Sequence, residues 1–171
     1  MINIYIKKIN IVDIIILLTL TMVSIASSII LHIYSLNGRE FLPIFFSLSL
    51  GAYILNPFFL IFLSIILPII NYFFTNMPIP PILYFLIFEG VVFSVIISIF
   101  KNKNISFILL SLIAFIAARL SSIVLTFIFN IDINTWFNNF INGYKGIMVN
   151  FSFASIVYLI SKNIMSNNEQ F

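Results

Sequence analysis

Two ionisable residues lie deep within apolar sequence: Glu89 in Tyr84-Phe85-Leu86-Ile87-Phe88-Glu89-Gly90, and Arg119 in Ala114-Phe115-Ile116-Ala117-Ala118-Arg119-Leu120. Each costs about 2.5 to 3.5 kcal/mol at the centre of a membrane helix on insertion scales, so both must face a protein interior, a partner charge or a wet cavity. Two chemistries suit them. As an ion pair they neutralise each other and lock two helices together. In a polar pocket, Arg119 can clamp a carboxylate or phosphate through its planar fork, with Glu89 as its counter-charge or as a hydrogen-bond acceptor for a ligand. The two are compatible, because an ion pair can admit an anionic ligand by exchanging partners.

Other polar residues fall near the same level. Asn150, with Tyr144 and Lys145 above it, brings an amide, a phenol and an ammonium toward the depth of Glu89 and Arg119. Asn150 reads equally well as a satisfied polar residue and as an orienting amide. His32 stands alone, without a partner at ligand spacing, and reads as interfacial. Trp136 suits an interface anchor, or an aromatic that covers a ligand. Ser24, Ala26 and Ser28 place small side chains along the first apolar run, where they let another helix approach closely.

Several classes of chemistry are absent. The chain has no Cys, which removes disulfides, thiolate metal sites and cysteine nucleophiles. It has no glycine-rich run ending in Lys-Ser or Lys-Thr, no His-Glu-x-x-His, no Gly-x-Ser-x-Gly and no carboxylate cluster for metal-assisted phosphotransfer. The expectation is a non-enzyme that holds no metal or cofactor.

Positioning these residues falls to an oily chain. Of 171 residues 62% are hydrophobic and 8% are charged, against roughly 25% charged in soluble domains, too few to cover a water-facing shell. The net charge of +3 is spread singly or in pairs beside apolar runs, which reads as topology signal and not as a nucleic-acid footprint.

A spanning helix needs about 20 mostly apolar residues. Helix one runs from about Ile11 to Tyr34, after Lys7 and Lys8. Ser24-Ile25-Ala26-Ser27 could pass for a leader cleavage site, but the apolar stretch is long enough to span and more membrane sequence follows, so it reads as uncleaved. The run from Phe41 to Phe74 is divided at Asn56-Pro57 into a short helix two, Leu42 to Leu55, and helix three, Pro57 to Phe74, with Pro68 expected to kink the latter. Thr75-Asn76-Met77-Pro78-Ile79-Pro80-Pro81 breaks the chain. Helix four covers about Pro81 to Phe100 and helix five Ile105 to Phe129. A loop from Asn130 to Asn142 follows, then helix six from Gly143 to Ile160 and a polar tail from Ser161.

The predicted fold is therefore an all-α membrane protein, a six-transmembrane-helix bundle with a short second helix. Its divisions are a segment 1–10, one membrane domain 11–160 and a tail 161–171. Lys7, Lys8, Lys101, Lys103 and Lys162 lie on the side of the termini, against Arg39 and Lys145 opposite, which places both termini in the cytoplasm of a bacterial-type plasma membrane. At 1.5 Å per residue, Glu89 and Arg119 come out roughly 12 and 15 Å below the outer ends of their helices.

The order of features resembles the substrate-binding S components of energy-coupling factor (ECF) transporters over about Phe41 to Ile160. It comprises Phe41-Leu42-Pro43-Ile44-Phe45, Gly51, Pro68, Thr75-Asn76-Met77-Pro78, Glu89-Gly90, Ala118-Arg119 and Gly146-Ile147. In one branch of that family the short helix opens with Phe-Ser-Pro-Met-His, the outer loop reads Thr-Gly-Met-Pro-Pro and a Gly-Arg pair marks helix five. This chain has Phe45, Asn76 and Ala118 at the His, Gly and Gly positions, and Asn150 where the family carries Gln. The resemblance implies a vitamin-uptake subunit that binds a vitamin or related metabolite near its outer face, with Glu89, Arg119, Met77 and Pro78 at matching positions. The placement of the polar residues adds Asn150, Tyr144 and Lys145 to an outward-facing pocket, and Arg119 favours a small, anionic ligand. The subunit's implied partners are a membrane T component, approached through Ser24, Ala26 and Ser28, and two ATPase subunits that supply the energy. The contrasting reading is a membrane scaffold of the MreD type, which needs no ligand.

Overall fold

The computed structural model describes residues 11–34, 43–101 and 106–168. Lys7, Lys8, Arg39, Lys103 and the Phe41-Leu42 start of the short helix lie outside the described residues, as do the side chains of His32 and Lys162. The described chain is all-helical, without strands. Its elements are α1 (Ile11–Ile33), α2 (Pro43–Ile54), α3 (Pro57–Thr75), α4 (Ile82–Phe100), α5 (Phe107–Ser121), α6 (Ile123–Phe129), α7 (Ile133–Asn142) and α8 (Tyr144–Asn168). Four stretches are long and apolar enough to cross a membrane: Ile11–Leu31, Pro57–Thr75, Ile82–Phe100 and Ile108–Phe129.

The short helix α2 is the centre of the molecule. Ile44, Phe45, Leu48, Ala52 and Leu55 are buried, and so are Ser47, Ser49 and Gly51 between them. A helix buried on nearly all sides needs apolar or small residues around its whole circumference, and Pro43–Ile54 carries no charge. It touches α1, α3, α4, α5 and α8. Ser47 Oγ crosses to the Leu20 carbonyl of α1 at 2.9 Å. Phe45 packs edge-on to Phe93 and tilted against Phe115, with centroids 6.2 and 4.6 Å apart.

Asn56-Pro57 makes the break that separates α2 from α3. Asn56 is extended, its side chain accepts from the Phe59 N–H at 3.1 Å, and Pro57 takes the first helical position, where its missing N–H costs nothing. Pro68 is buried within α3, which continues as one helix to Thr75. There Asn76 caps the helix at φ 52, in the left-handed region that Gly enters freely and Asn tolerates.

α3, α4 and α5 pack in sequence as neighbours. Gly90 permits the close α3–α4 approach, since a Cβ there would meet Ser64 Cβ at 3.1 Å and the Ser64 carbonyl at 3.3 Å. Three differences from the sequence expectation follow. The expected helix five is divided at Ser122 into α5 and α6; the expected loop 130–142 contains α7; and the last helix continues to Asn168, through the expected tail.

Candidate functional site

Glu89 on α4 and Arg119 on α5 meet. Arg119 Nη1 donates to Glu89 Oε2 at 3.0 Å, and the two residues are 7% and 3% exposed. The two deep charges found at matching depth therefore form one buried ion pair. A second guanidinium nitrogen, Nη2, donates to the main-chain carbonyl of Asn139 at 2.9 Å. Arg119 Nε is buried and has no hydrogen-bond partner among the described residues. The fork thus spends one arm on a carboxylate and the other on a neutral carbonyl from α7.

The helix interruption lies directly above this pair. Ser121 Oγ donates to the Ala118 carbonyl at 2.8 Å and Ser122 Oγ to the Arg119 carbonyl at 2.7 Å. Consecutive serine hydroxyls compete for the carbonyls that would otherwise take backbone N–H groups one turn on, and the ladder breaks there. Ser122 is fully buried, its hydroxyl lies within reach of the Glu89 carboxyl, and it also accepts from the Trp136 indole Nε1 at 3.1 Å.

α7 covers the pair on one side. Its apolar residues Ile133, Trp136, Phe137, Phe140 and Ile141 recur at the spacing of one helix face. Trp136 and Phe140 turn toward the pair: their rings stack at 5.5 Å, and the Arg119 guanidinium carbon lies 5.9 Å from the Phe140 ring centroid. Ile133, Phe137 and Ile141 remain about half exposed. Gly143, which ends α7, lies against the guanidinium: a Cβ there would be 2.8 Å from Arg119 Nη2, so the fork would have to move.

The other residues singled out from sequence are placed less centrally. Asn150 is buried on α8, and its side-chain amide donates to the Gly146 carbonyl of its own helix at 2.7 Å. Met77, Tyr144 and Lys145 are exposed. Ser24 and Ser28 are buried within the chain itself, while Ala26 between them is exposed. Phe45 is an aromatic core residue with no exposed surface. A narrow crevice between α2, α5 and α8, lined by Ser49, Ser111, Phe115, Ile147 and Phe151, lies below the level of Arg119.

Sequence reasoning did not reach Ser122, Asn139, Phe140 or Gly143. The signal for Phe140 was present in the spacing of the apolar residues of 133–141. The Asn139 contact is made by a main-chain carbonyl, which no residue type announces. Comparison with family models, with curated proteins and with solved structures yields no match.

Proposed function

We propose that the chain is the substrate-specificity subunit of an ECF-type uptake transporter, which binds a small anionic metabolite of the vitamin class at Arg119. In this reading the bundle crosses a bacterial-type plasma membrane six times with both termini in the cytoplasm. A T component and two ATPase subunits supply the energy, biasing this subunit between states that differ in ligand affinity. One observation carries the proposal: a buried guanidinium donates one arm to a neutral carbonyl of a surface helix, and a carboxylate or phosphate makes a stronger, charge-assisted partner for that arm. Lifting α7 exchanges the Asn139 carbonyl for the ligand, while Glu89 keeps the guanidinium in place.

Trp136 is the chain's single tryptophan and rests on this site, so its fluorescence reports occupancy. The test titrates the purified full chain in nanodiscs with pantothenate, riboflavin and a pyrimidine vitamin. A saturable emission change that is lost in the double variant Arg119→Ala/Glu89→Ala supports the reading. No binding by any of the set, together with no T component or ATPase copurifying, overturns it.

The scaffold reading is favoured by a different observation. Glu89 already neutralises the charge of Arg119 within a buried contact, which suffices to lock α4 to α5. A double variant that folds, and whose cells keep normal growth on limiting vitamins but lose their shape, decides for it.

A further inference from the structure

Two helix joints lie beside Arg119, and each is a single residue wide. α5 passes into α6 through Ser122, and α7 passes into α8 through Gly143. Gly143 lies against the Arg119 guanidinium, and Arg119 precedes Ser122 by three residues, a rise of about 4.5 Å. The two joints therefore fall near one level of the bundle. Ser and Gly are residues at which helices bend, and residues at element ends absorb the backbone change of a hinge.

Between the joints the chain doubles back on itself. Trp136 reaches Ser122, while Asn139, three residues further on, reaches Arg119, three residues further back. Contacts that advance along one helix and retreat along the other mark an antiparallel pair. The connection at the far end is tight: the Asn130 and Ile131 N–H groups both donate to the Thr126 carbonyl, and Asn130 takes φ 51. α6 and α7 thus form one hairpin, closed at its tip by this turn and braced at its base by the Trp136–Ser122 bond.

The hairpin is lightly seated on the rest of the bundle. Among the described residues, α6 packs on α5 and α7, and α7 on α6 and α8, with no comparable packing of either on α1, α2, α3 or α4. Leu125 and Thr126 are the buried residues of α6, and α7 has none. What holds the free end is Phe129. Its ring stacks on Tyr84 of α4 at 5.4 Å with an interplanar angle of 7°, and lies tilted against Phe85 at 6.3 Å. Phe129 stands about 10 Å along the helix from Ser122, so this stack acts at the end of a lever.

We infer that residues 123–142 move as one hinged hairpin, pivoting at Ser122 and Gly143 and latched by the Phe129–Tyr84 stack. Pivoting carries the Asn139 carbonyl off Arg119, while the Trp136–Ser122 brace lies at the pivot and stays closed. The hairpin is the lid that the proposed function opens, and for that purpose the inference rests on that reading. Its motion needs no ligand, so failure of the test below and failure of the transport reading are separate results.

The chain has no Cys, so spin labels attach only where a Cys is introduced. In nanodiscs, dipolar EPR distances are measured from Phe73→Cys, near the end of α3, to Ile128→Cys on α6 and to Phe137→Cys on α7. Leu120→Cys on α5, on the far side of the joint, is the reference; all four positions are exposed. The same pairs are then measured with Tyr84→Ala. Loss of the aromatic stack is expected to raise a displaced population roughly 2- to 10-fold, equally for Ile128 and Phe137 and not for Leu120. Displacement of one hairpin helix alone, displacement of Leu120 to the same extent, or no displacement in the variant overturns the inference. Phe129→Leu, which removes the same stack from the hairpin side, takes the place of Tyr84→Ala should that variant fail to fold.

Discussion

The indole N–H of Trp136 donates to Ser122 Oγ at 3.1 Å, and this single bond ties the surface helix α7 to the interruption that sits over the Glu89–Arg119 pair. Ser122 is held independently by its own bond to the Arg119 carbonyl. Trp136→Phe therefore removes the tie without disturbing the pair. The bond is worth about 1 kcal/mol, so hydrogen exchange of the α7 amides is expected to quicken by about 5-fold, with no change in α4. Unchanged exchange in α7 would show that the helix is held by other contacts.

The ion pair makes a second expectation, on stability. Removing one member of a buried pair costs about 3 to 5 kcal/mol, because the other charge is left unpaired, whereas replacing both with apolar residues is often near neutral. Arg119→Leu and Glu89→Leu should each lower the detergent unfolding midpoint sharply, and the double variant should recover most of the loss. A double variant as unstable as the sum of the singles would mean that Arg119 and Glu89 act separately.

Lys101 yields a pH dependence. It lies one residue beyond α4, and its ammonium donates to the carbonyls of Tyr53 at 2.9 Å and Leu55 at 3.3 Å, at the C-terminal end of α2. The end of a helix favours a cation, yet burial pushes the Lys101 amine below its ordinary pKa. Between the lowered value and the ordinary one, the unfolded chain binds more protons at this site than the folded chain, so stability rises with pH across that window. Unfolding midpoints of the wild type should climb relative to Lys101→Met as pH is raised toward 10. A constant difference would remove Lys101 as the source.

Phe45 sets the cost of placing a polar ring in the centre of the core. Its ring is fully buried between Phe93 and Phe115, where an imidazole must be desolvated within apolar packing. Phe45→His should destabilise by about 2 kcal/mol or more, measured by chemical unfolding. Tolerance of the substitution would place a hydrogen-bond partner near Phe45.

Much of this architecture is written in local chemistry. Asn56-Pro57 announces the α2–α3 boundary because an amide cap and a missing N–H act within a few residues. Glu89 and Arg119 stand out because a charge in apolar sequence is too costly to go unpartnered, and equal depth followed from a constant rise per residue. The gaps arise where the deciding interaction is not local. The Ser121-Ser122 break depends on hydroxyls choosing carbonyls within their own helix over other partners. The helix α7 is short and rich in Asn, a residue of low helix propensity, so its apolar spacing was outweighed by a composition that favours loops. Ser24 and Ser28 were read as an outward contact because small residues at that spacing suit any close approach; burial against the chain's own α2 and α3 was a matter of which way α1 faced.

The buried pair also has an electrical consequence. With Glu89 ionised and Arg119 protonated, the site carries no net charge, and the membrane field does no work on it. An anion that takes the place of the Asn139 carbonyl brings a full negative charge part of the way into the low-dielectric slab. A charge that crosses the whole slab is worth about 2.3 kcal/mol per 100 mV, and an anion reaching Arg119 crosses only a fraction of it. If the site binds an anion from the outer face, as proposed, its occupancy follows the voltage of the cell as well as the concentration outside, and an inside-negative potential works against filling it.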